Sequence, residues 1–298
     1  MLFRSEFIEN KMNDIFQDFK TELSYINELC ILKDLRFNNG NLPNYSIPII
    51  QQLYLLRYFP AYLVEYYDIY KRVIEDNFID KYNVLSIGCG CGIDYYGLYF
   101  ALKDKNESLV KNIRYTGVDI INWSYKEKLH GENIYYINDD ITTWKELDSG
   151  GYNIIMFPKS IGEFSEQHFE KILCVFKNTQ FTSDNIFLLS SVREQNDLID
   201  RLRMGSIIDV FEEKHKFKCL DDKYSYIYYI QNVGLSKYFP QFYYPNSILQ
   251  FITNLMKNCS TYVEACMKAC EQNCATSLNK HPILKTGHIK YQIKRLKK

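Results

Sequence analysis

Short apolar runs recur along the middle of the chain, separated by longer segments with helical periodicity. These runs lie at residues 84–87, 113–118, 133–138, 152–157 and 185–190. Runs of this length, bounded by glycine or polar residues, predict strands, whereas the apolar spacing over about residues 94–106 predicts a helix. Strands that alternate with helices favour an α/β fold built on a parallel sheet.

The N-terminal region, about residues 1–80, has a helical pattern throughout. Apolar residues recur at helical spacing from Phe7 onwards, and a second helical run covers about residues 48–76. A polar break at residues 38–44 separates the two runs, and Pro60 predicts a kink or a helix boundary in the second. The region is either a helical extension packed on the sheet edge or a module that recognises a substrate.

Three glycines, Gly88, Gly90 and Gly92, follow the first predicted strand. A strand, a glycine turn and a helix in succession allow the backbone to approach a bound nucleotide closely. The dinucleotide fingerprint Gly-x-Gly-x-x-Gly needs its third glycine at position 93, where this chain has Ile93. The observed spacing, Gly-x-Gly-x-Gly, is therefore not that of a dinucleotide site.

Acidic residues stand at the ends of the next two predicted strands. Asp119 ends the second strand, and Asp139 and Asp140 follow the third. Because the carboxyl ends of parallel strands meet at one edge of a sheet, we expect these side chains to lie near the glycine turn. A carboxylate at the end of the second strand can accept hydrogen bonds from both hydroxyls of a ribose.

These landmarks, in this order, resemble the class I methyltransferases that use S-adenosylmethionine (SAM), over about residues 80–230. The resemblance implies a Rossmann-like three-layer α/β sandwich with a mostly parallel sheet and helical appendages at both ends. It implies that Asp140 contacts the adenine amino group, with Asp139 as the alternative. The cofactor-binding residues taken from the resemblance are Gly88, Cys89, Gly90, Gly92, Asp94, Asp119, Asp139, Asp140 and Phe157.

One position departs from the family pattern. Many members carry an acidic residue two positions before the first glycine, where this chain has Ser86. Asp94, just past the glycine turn, either takes over that role or caps the following helix through its carboxylate.

The loop after the fourth predicted strand lies beside the reacting methyl group in this family. Here it contains Lys159 and Glu163, which are candidate catalytic residues that act as a base or orient the acceptor. Ser160 and Glu163 also fit a capping box that opens the next helix. The loop lacks the Asn/Asp-Pro-Pro-aromatic sequence of enzymes that methylate amino groups of nucleic acids, and the chain has no Pro-Cys pair for carbon-5 pyrimidine methylation.

Cysteines form a second group of candidate ligands, in the C-terminal region. The candidate metal ligands are Cys259, Cys266, Cys270 and Cys274, with His281 as an alternative to the first. Cysteine ligands suit zinc or an iron–sulfur cluster, but three positions strung along one helix converge only if the helix breaks. The alternative is a stripe of buried cysteines. Cys89 and Cys91, in the glycine turn, are interpreted as small loop residues.

The tail from Lys280 onwards is basic, with seven lysines or arginines and no acidic residue. Such a run either contacts the phosphates of RNA or forms a solvated terminal face.

Composition limits the possible classes of protein. Hydrophobic residues make up 46% and charged residues 24% of the 298 residues, which is typical of a soluble globular chain. The formal net charge of zero argues against strong non-specific binding of nucleic acid by the whole protein. The start of the chain carries charges and no apolar run, and polar residues interrupt the apolar stretch 47–66, so we expect a cytoplasmic protein with no membrane partner.

The sequence therefore predicts a SAM-binding Rossmann-like domain at residues 81–235 between a helical extension (1–80) and a helical, cysteine-containing region with a basic tail (236–298). The predicted activity is methyl transfer to an unidentified small molecule or RNA. An aminopropyl-type transferase resembling nicotianamine synthase, or a non-catalytic scaffold that binds SAM or RNA, are the alternatives.

Overall fold

The computed structural model divides the chain into two compact units. One unit combines Met1–Tyr62 with Val233–Thr286, and the other combines Leu63–Asn232 with Gly287–Lys298. The described residues are 2–26, 29–35, 43–75, 79–126, 133–193, 197–229, 233–234, 244–259, 281–283, 285–286 and 289–298.

A mixed sheet forms the centre of the second unit. In chain order the described strands are β1 (Tyr82–Ile87), β2 (Ile113–Asp119), β3 (Ile134–Asn138), β4 (Ile154–Pro158), β5 (Asn185–Ser191), β6 (Lys218–Cys219), β7 (Ile227–Tyr229), β8 (Val233–Gly234), β9 (Lys285–Thr286) and β10 (Ile289–Lys297). The sheet runs β3-β2-β1-β4-β5-β10-β6, and β7 also pairs with β10. β1 to β5 are parallel, whereas β10 is antiparallel to β5.

Burial on both faces explains why the central strands stand out in the sequence. β1 lies between β2 and β4, where Val84 pairs with Tyr115 on one side and Ile154 on the other. All three side chains are fully buried. A strand covered on both faces reads as a continuous apolar run, which is the pattern that predicted these strands.

The described part of the chain contains six α-helices. They are α1 (Leu2–Ser24), α2 (Pro48–Glu75), α3 (Ile93–Lys105), α4 (Glu166–Asn178), α5 (Asp197–His215) and α6 (Asn246–Thr253). Phe176 of α4 and Phe211 of α5 share one apolar core with Ile155 of β4 and Leu188 of β5. The predicted Rossmann-like α/β fold, with a mostly parallel sheet and helices on both sides, is confirmed.

α3 packs closely against the second half of α2. A Cβ atom added to Gly97 of α3 would lie 2.8 Å from the backbone carbonyl carbon of Tyr66 in α2, so only glycine allows this approach. α2 continues through Pro60, so the alternative of a helix boundary at that residue is wrong.

Aromatic contacts characterise the other unit. The Phe16 ring of α1 meets the Phe251 ring of α6 edge-on, with 5.2 Å between ring centroids. Tyr58 and Tyr62, one turn apart on α2, stack with 5.5 Å between centroids. The first contact joins α1 to α6, and the second lies within α2. Within the described part of the chain, no helix has the length and apolar character needed to cross a membrane.

The basic tail is a strand of the main sheet. β10 covers residues 289–297 and pairs with β5 over the register Tyr291↔Ser191 to Lys297↔Asn185. The Lys294 side chain is buried and its ammonium donates to the Asp222 and Ser225 carbonyl oxygens, both at 2.5 Å. A solvated terminal face is therefore the wrong description of this segment, and the predicted region 236–298 is divided, since its last residues complete the sheet.

Candidate functional site

The glycine turn joins β1 to α3 through three left-handed residues. The φ angles of Gly88, Gly90 and Gly92 are 70°, 58° and 81°, which L side chains rarely adopt. A Cβ atom on Gly88 would lie 2.5 Å from the Ser160 Cβ, and one on Gly92 would collide with the Tyr136 hydroxyl. Backbone conformation and crowding therefore both require glycine at these two positions.

Asp119 ties the turn to the carboxyl end of β2. One carboxylate oxygen accepts the backbone N–H of Gly90 at 2.8 Å, and the other accepts that of Ile121 at 2.8 Å. Burial raises the pKa of Asp119, although these two backbone N–H groups act in the opposite direction. The Trp123 side chain also acts on this carboxylate, and since a carboxylate has about four acceptor positions, one remains for a ligand.

Ile120 and Trp123, which follow Asp119 in the chain, lie at the same edge of the sheet. Neither residue was predicted from the sequence. The Ile120 side chain is 65% exposed, which is unusual for a large apolar group beside a buried sheet. The Trp123 ring lies 3.7 Å from where a Cβ of Gly90 would stand. Both lie within four residues of the end of β2. An apolar residue just past the acid that ends a strand was the sequence signal that could have identified them.

Asp139 and Asp140 lie at the carboxyl end of β3, next to the end of β2. The Asp139 backbone N–H donates to the Asp119 carbonyl at 3.1 Å. The Asp139 carboxylate is exposed and accepts the Trp144 indole N–H at 2.7 Å, whereas that of Asp140 accepts the Thr142 backbone N–H at 2.9 Å. The assignment of the adenine contact to one of the two stays a prediction.

The Asp94 carboxylate lies inside the protein. The Tyr115 hydroxyl donates to one of its oxygens at 2.9 Å and the Tyr70 hydroxyl to the other at 3.3 Å. Burial raises the pKa of Asp94 to about 6, even though the hydroxyls of Ser86, Tyr115 and Tyr70 act in the opposite direction.

The loop after β4 packs on the glycine turn from the other side. Phe157 is fully buried, and the Ser160 hydroxyl donates to the Ile87 carbonyl at 2.5 Å. α4 begins only at Glu166, and its N-cap is Ser165, whose hydroxyl accepts the His168 backbone N–H at 3.2 Å. The prediction that Ser160 opens a capping box is therefore wrong, because its hydroxyl donates to a carbonyl at the end of β1 instead.

The two candidate catalytic side chains of this loop have different surroundings. The Lys159 ammonium is 3.0 Å from the Glu65 carboxylate of α2, and that carboxylate also accepts a short hydrogen bond from the Ser191 hydroxyl. Glu163 is held in the turn by its backbone N–H, which donates to the Ser160 carbonyl at 2.8 Å.

Burial raises the pKa of Glu163 to about 7. The Arg193 guanidinium acts against this shift, whereas the Asp119 and Asp200 carboxylates add to it. The structure therefore brings Glu163 close enough to Asp119 for their charges to interact, while Lys159 is used in an internal ion pair.

The cysteine positions are only partly described. Cys89 and Cys91 are buried in the glycine turn, and burial raises the pKa of Cys89 well above its usual range, which makes it a poor nucleophile. Cys259 is buried, whereas Cys266, Cys270 and Cys274 lie outside the described residues. Among the residues that are described, no cluster of three or more His, Cys, Asp or Glu side chains could hold a metal ion.

No protein-family model and no curated protein matches the chain. Among solved structures, the plantazolicin methyltransferase BpumL in complex with SAH is 14% identical, with a TM-score of 0.41 over 95% of this chain and 98% of that chain. Magnesium protoporphyrin IX methyltransferase (ChlM) from Synechocystis PCC 6803 with bound SAM is 13% identical, with a TM-score of 0.37 over 68% and 88%. TM-scores this low do not assign a function to this chain.

Proposed function

We propose that this chain is a SAM-dependent methyltransferase. The observation that carries the proposal is the hydrogen bond from the Gly90 backbone to the Asp119 carboxylate. It fixes a strand-ending acid against a left-handed glycine turn. An acid beside a glycine turn suits a ligand that contains a ribose. The acid can accept hydrogen bonds from the ribose hydroxyls, and the turn lets the protein backbone approach the neighbouring part of the ligand closely.

The strand order supports a ligand at this place. β2 and β3 lie on one side of β1, and β4 and β5 lie on the other. The chain therefore reverses direction across the sheet between β1 and β4, and ligands of open α/β sheets bind in the crevice at the carboxyl ends of such strands. Asp119 and Ile120 offer a carboxylate for a ribose and an exposed apolar surface for a base.

Two features argue for SAM over a dinucleotide. Ile93 occupies the place of the third glycine and is buried at the start of α3. In addition, β10 enters the sheet antiparallel beside β5, which differs from the parallel six-stranded order of dinucleotide-binding domains.

Bound SAM would supply an electrophilic methyl group. On the protein side, Asp119 would accept hydrogen bonds from the ribose. The backbone of the glycine turn would lie close to the part of the ligand next to the ribose. Glu163 is the better candidate base, because a pKa of about 7 leaves a large fraction of it ready to take a proton near neutral pH. Lys159 is better explained as the partner of Glu65.

Three cations of the tail strand do not favour an RNA acceptor. Lys290 pairs with Asp197 at 3.5 Å, Lys294 is buried, and Arg295 pairs with Asp221 at 3.3 Å. Cations that are already paired inside the fold are poorly placed to neutralise phosphates. A small-molecule acceptor is therefore the better proposal.

Calorimetric titration with SAM, SAH and NAD tests the proposal. We expect SAM and SAH to bind and NAD not to bind. Asp119→Asn should weaken SAM binding by about 2–3 kcal/mol, because charge-assisted hydrogen bonds to the ribose are lost. Asp184→Asn is the matched control, since this exposed carboxylate lies at the opposite, amino end of β5 and should leave affinity unchanged.

Two results would contradict the proposal. One is the absence of binding by both SAM and SAH to folded protein. The other is an unchanged SAM affinity in an Asp119→Asn variant whose thermal unfolding matches that of the wild type.

A further inference from the structure

The Glu163 side chain is partly buried, and its carboxylate is not hydrogen-bonded within the described part of the chain. Its residue sits in the turn between β4 and α4, at the carboxyl edge of the sheet. No described residue donates a hydrogen bond to its carboxylate, although its backbone N–H is bonded to Ser160. Because the residue is only partly exposed and no described residue donates to its carboxylate, the group is available to a hydrogen-bond donor of a ligand.

The cations around this loop are already paired with other acids. Arg193 donates to Asp200 twice, from its backbone N–H at 2.9 Å and from its guanidinium at 3.1 Å. Lys159 pairs with Glu65 at 3.0 Å. Arg203 also contacts this loop and pairs with Glu166 at 3.3 Å, so three cations face four carboxylates, and Glu163 is the one with no ion pair among the described residues.

Charge therefore selects among acceptors. A carboxylate or phosphate near Glu163 would meet the like charges of Asp119 and Asp200 as well, and the Arg193 guanidinium, which acts against them, is already paired with Asp200. An ammonium would instead neutralise the surplus charge and can donate up to three hydrogen bonds. We propose that the methyl acceptor is an amine whose nitrogen binds the Glu163 carboxylate, an inference that rests on the proposed methyl transfer.

The proton balance of the reaction fits this assignment. The amine gives up one proton before or as its nitrogen lone pair forms the new bond to the methyl carbon. The electron pair of the breaking carbon–sulfur bond stays on sulfur, which becomes a neutral thioether. Glu163 takes the proton from nitrogen, and burial, which raises the pKa of Glu163 to about 7, makes its carboxylate a stronger base than an exposed one.

Arg203 of α5 holds the loop that presents Glu163. Its guanidinium donates to the Ile161 carbonyl at 2.9 Å and to the Phe164 carbonyl at 2.7 Å, one on each side of Gly162 and Glu163. Gly162 is also confined, because a Cβ atom there would collide with Asp200 and Arg193. The backbone that carries Glu163 is thus held in place before a ligand arrives, which lowers the entropy cost of binding.

Three probes of one shape and different charge test the inference: benzylamine, benzyl alcohol and benzoate. Each is titrated into protein saturated with SAH, at about pH 8, where Glu163 is mostly ionised and benzylamine is mostly protonated. We expect benzylamine to bind roughly tenfold more tightly than the alcohol and benzoate to bind least. Glu163→Gln should remove this preference, and Glu163→Asp should retain part of it.

The control variant is Glu170→Gln, which neutralises an exposed carboxylate of α4 and should keep the amine preference. Equal binding of the three probes by wild-type protein overturns the inference, as does undetectable binding of all three. An amine preference that persists in Glu163→Gln also overturns it. SAH titration comes first, so a protein that does not bind SAH refutes the proposed function, whereas SAH binding without amine preference refutes only the acceptor class.

Discussion

Tyr115 donates a hydrogen bond to Asp94 over 2.9 Å, and this contact joins β2 to the first turn of α3 inside the protein. The carboxylate is fully buried, and burial raises the pKa of Asp94 to about 6 from an unfolded value near 3.8. An acid with a higher pKa in the folded state binds its proton more tightly when folded. The stability that it contributes is therefore present below about pH 4 and is lost as the pH rises to about 6.

Replacing Asp94 should flatten this pH dependence. Between about pH 4 and pH 7, Asp94 should lower the free energy of unfolding by roughly 3 kcal/mol, and Asp94→Asn should lack this decrease. Urea unfolding of both proteins across this range measures the difference. Asp104→Asn changes an exposed carboxylate near the end of the same helix, which accepts the Tyr67 hydroxyl at 2.6 Å, and should keep the decrease that Asp94 causes. Parallel pH profiles for wild type and Asp94→Asn would show that Asp94 titrates as it does in the unfolded chain.

The glycine turn should not tolerate a side chain at Gly92. Gly92→Ala combines a φ of 81° with a collision against the Tyr136 hydroxyl, so we expect a loss of roughly 2–4 kcal/mol in stability. Gly151→Ala is the matched control, because its Cβ would have a contact of 3.4 Å to the Ser149 hydroxyl and should change stability by less than about 1 kcal/mol. Thermal unfolding compares the two. Adding Tyr136→Ala to Gly92→Ala should recover only the part of the loss that the collision causes.

The ion pair between Lys159 and Glu65 should show strong coupling. Glu65 is 3% exposed, so Lys159→Met leaves a buried charge without its cation and should cost about 3–5 kcal/mol. The double variant Lys159→Met/Glu65→Leu should be more stable than Lys159→Met alone, because it removes both charges. Chemical unfolding of the two single variants and the double variant gives the coupling free energy. Additive losses would mean that the two side chains do not interact.

The tail strand offers a comparison of two lysines. The buried Lys294 ammonium donates to the Asp222 and Ser225 carbonyls and to the Ser225 hydroxyl, so Lys294→Met should lower stability by about 2–3 kcal/mol. Lys297→Met changes an exposed side chain on the same strand and should stay within about 0.5 kcal/mol. Chemical denaturation of the two variants measures the loss of stability in each. Equal effects would contradict the internal role of Lys294.

Local patterns predicted the parts of the molecule that depend on neighbouring residues. The strand before Gly88, the glycine turn itself and the helix after it were visible because apolar runs, glycine spacing and helical periodicity are each local signals. Asp119 could be placed for the same reason, as the polar end of a buried strand. The prediction for Ser160 failed because Ser-x-x-Glu describes a local cap, whereas the Ser160 hydroxyl bonds the carbonyl of Ile87.

The tail shows how a strong signal can hide a weaker one. Its lysines indicated an RNA contact or a solvated face, although Ile289, Tyr291 and Ile293 alternate with polar residues as in a strand. Pairing with β5 supplies the missing information, and that strand lies about a hundred residues earlier in the chain.

The sequence by itself determined the α/β class, the glycine turn and the acid at the end of β2, because the residues responsible are close together in the chain. Only the tertiary structure decided that Lys159 pairs with Glu65, that Lys294 is internal and that Glu163 lies among Arg193, Asp200 and Asp119. These relationships join residues separated by about 30 to 95 positions, and burial sets their charges. The spacing of residues along the chain does not reveal which distant residues come together in space. It also does not reveal which side chains lose their contact with solvent.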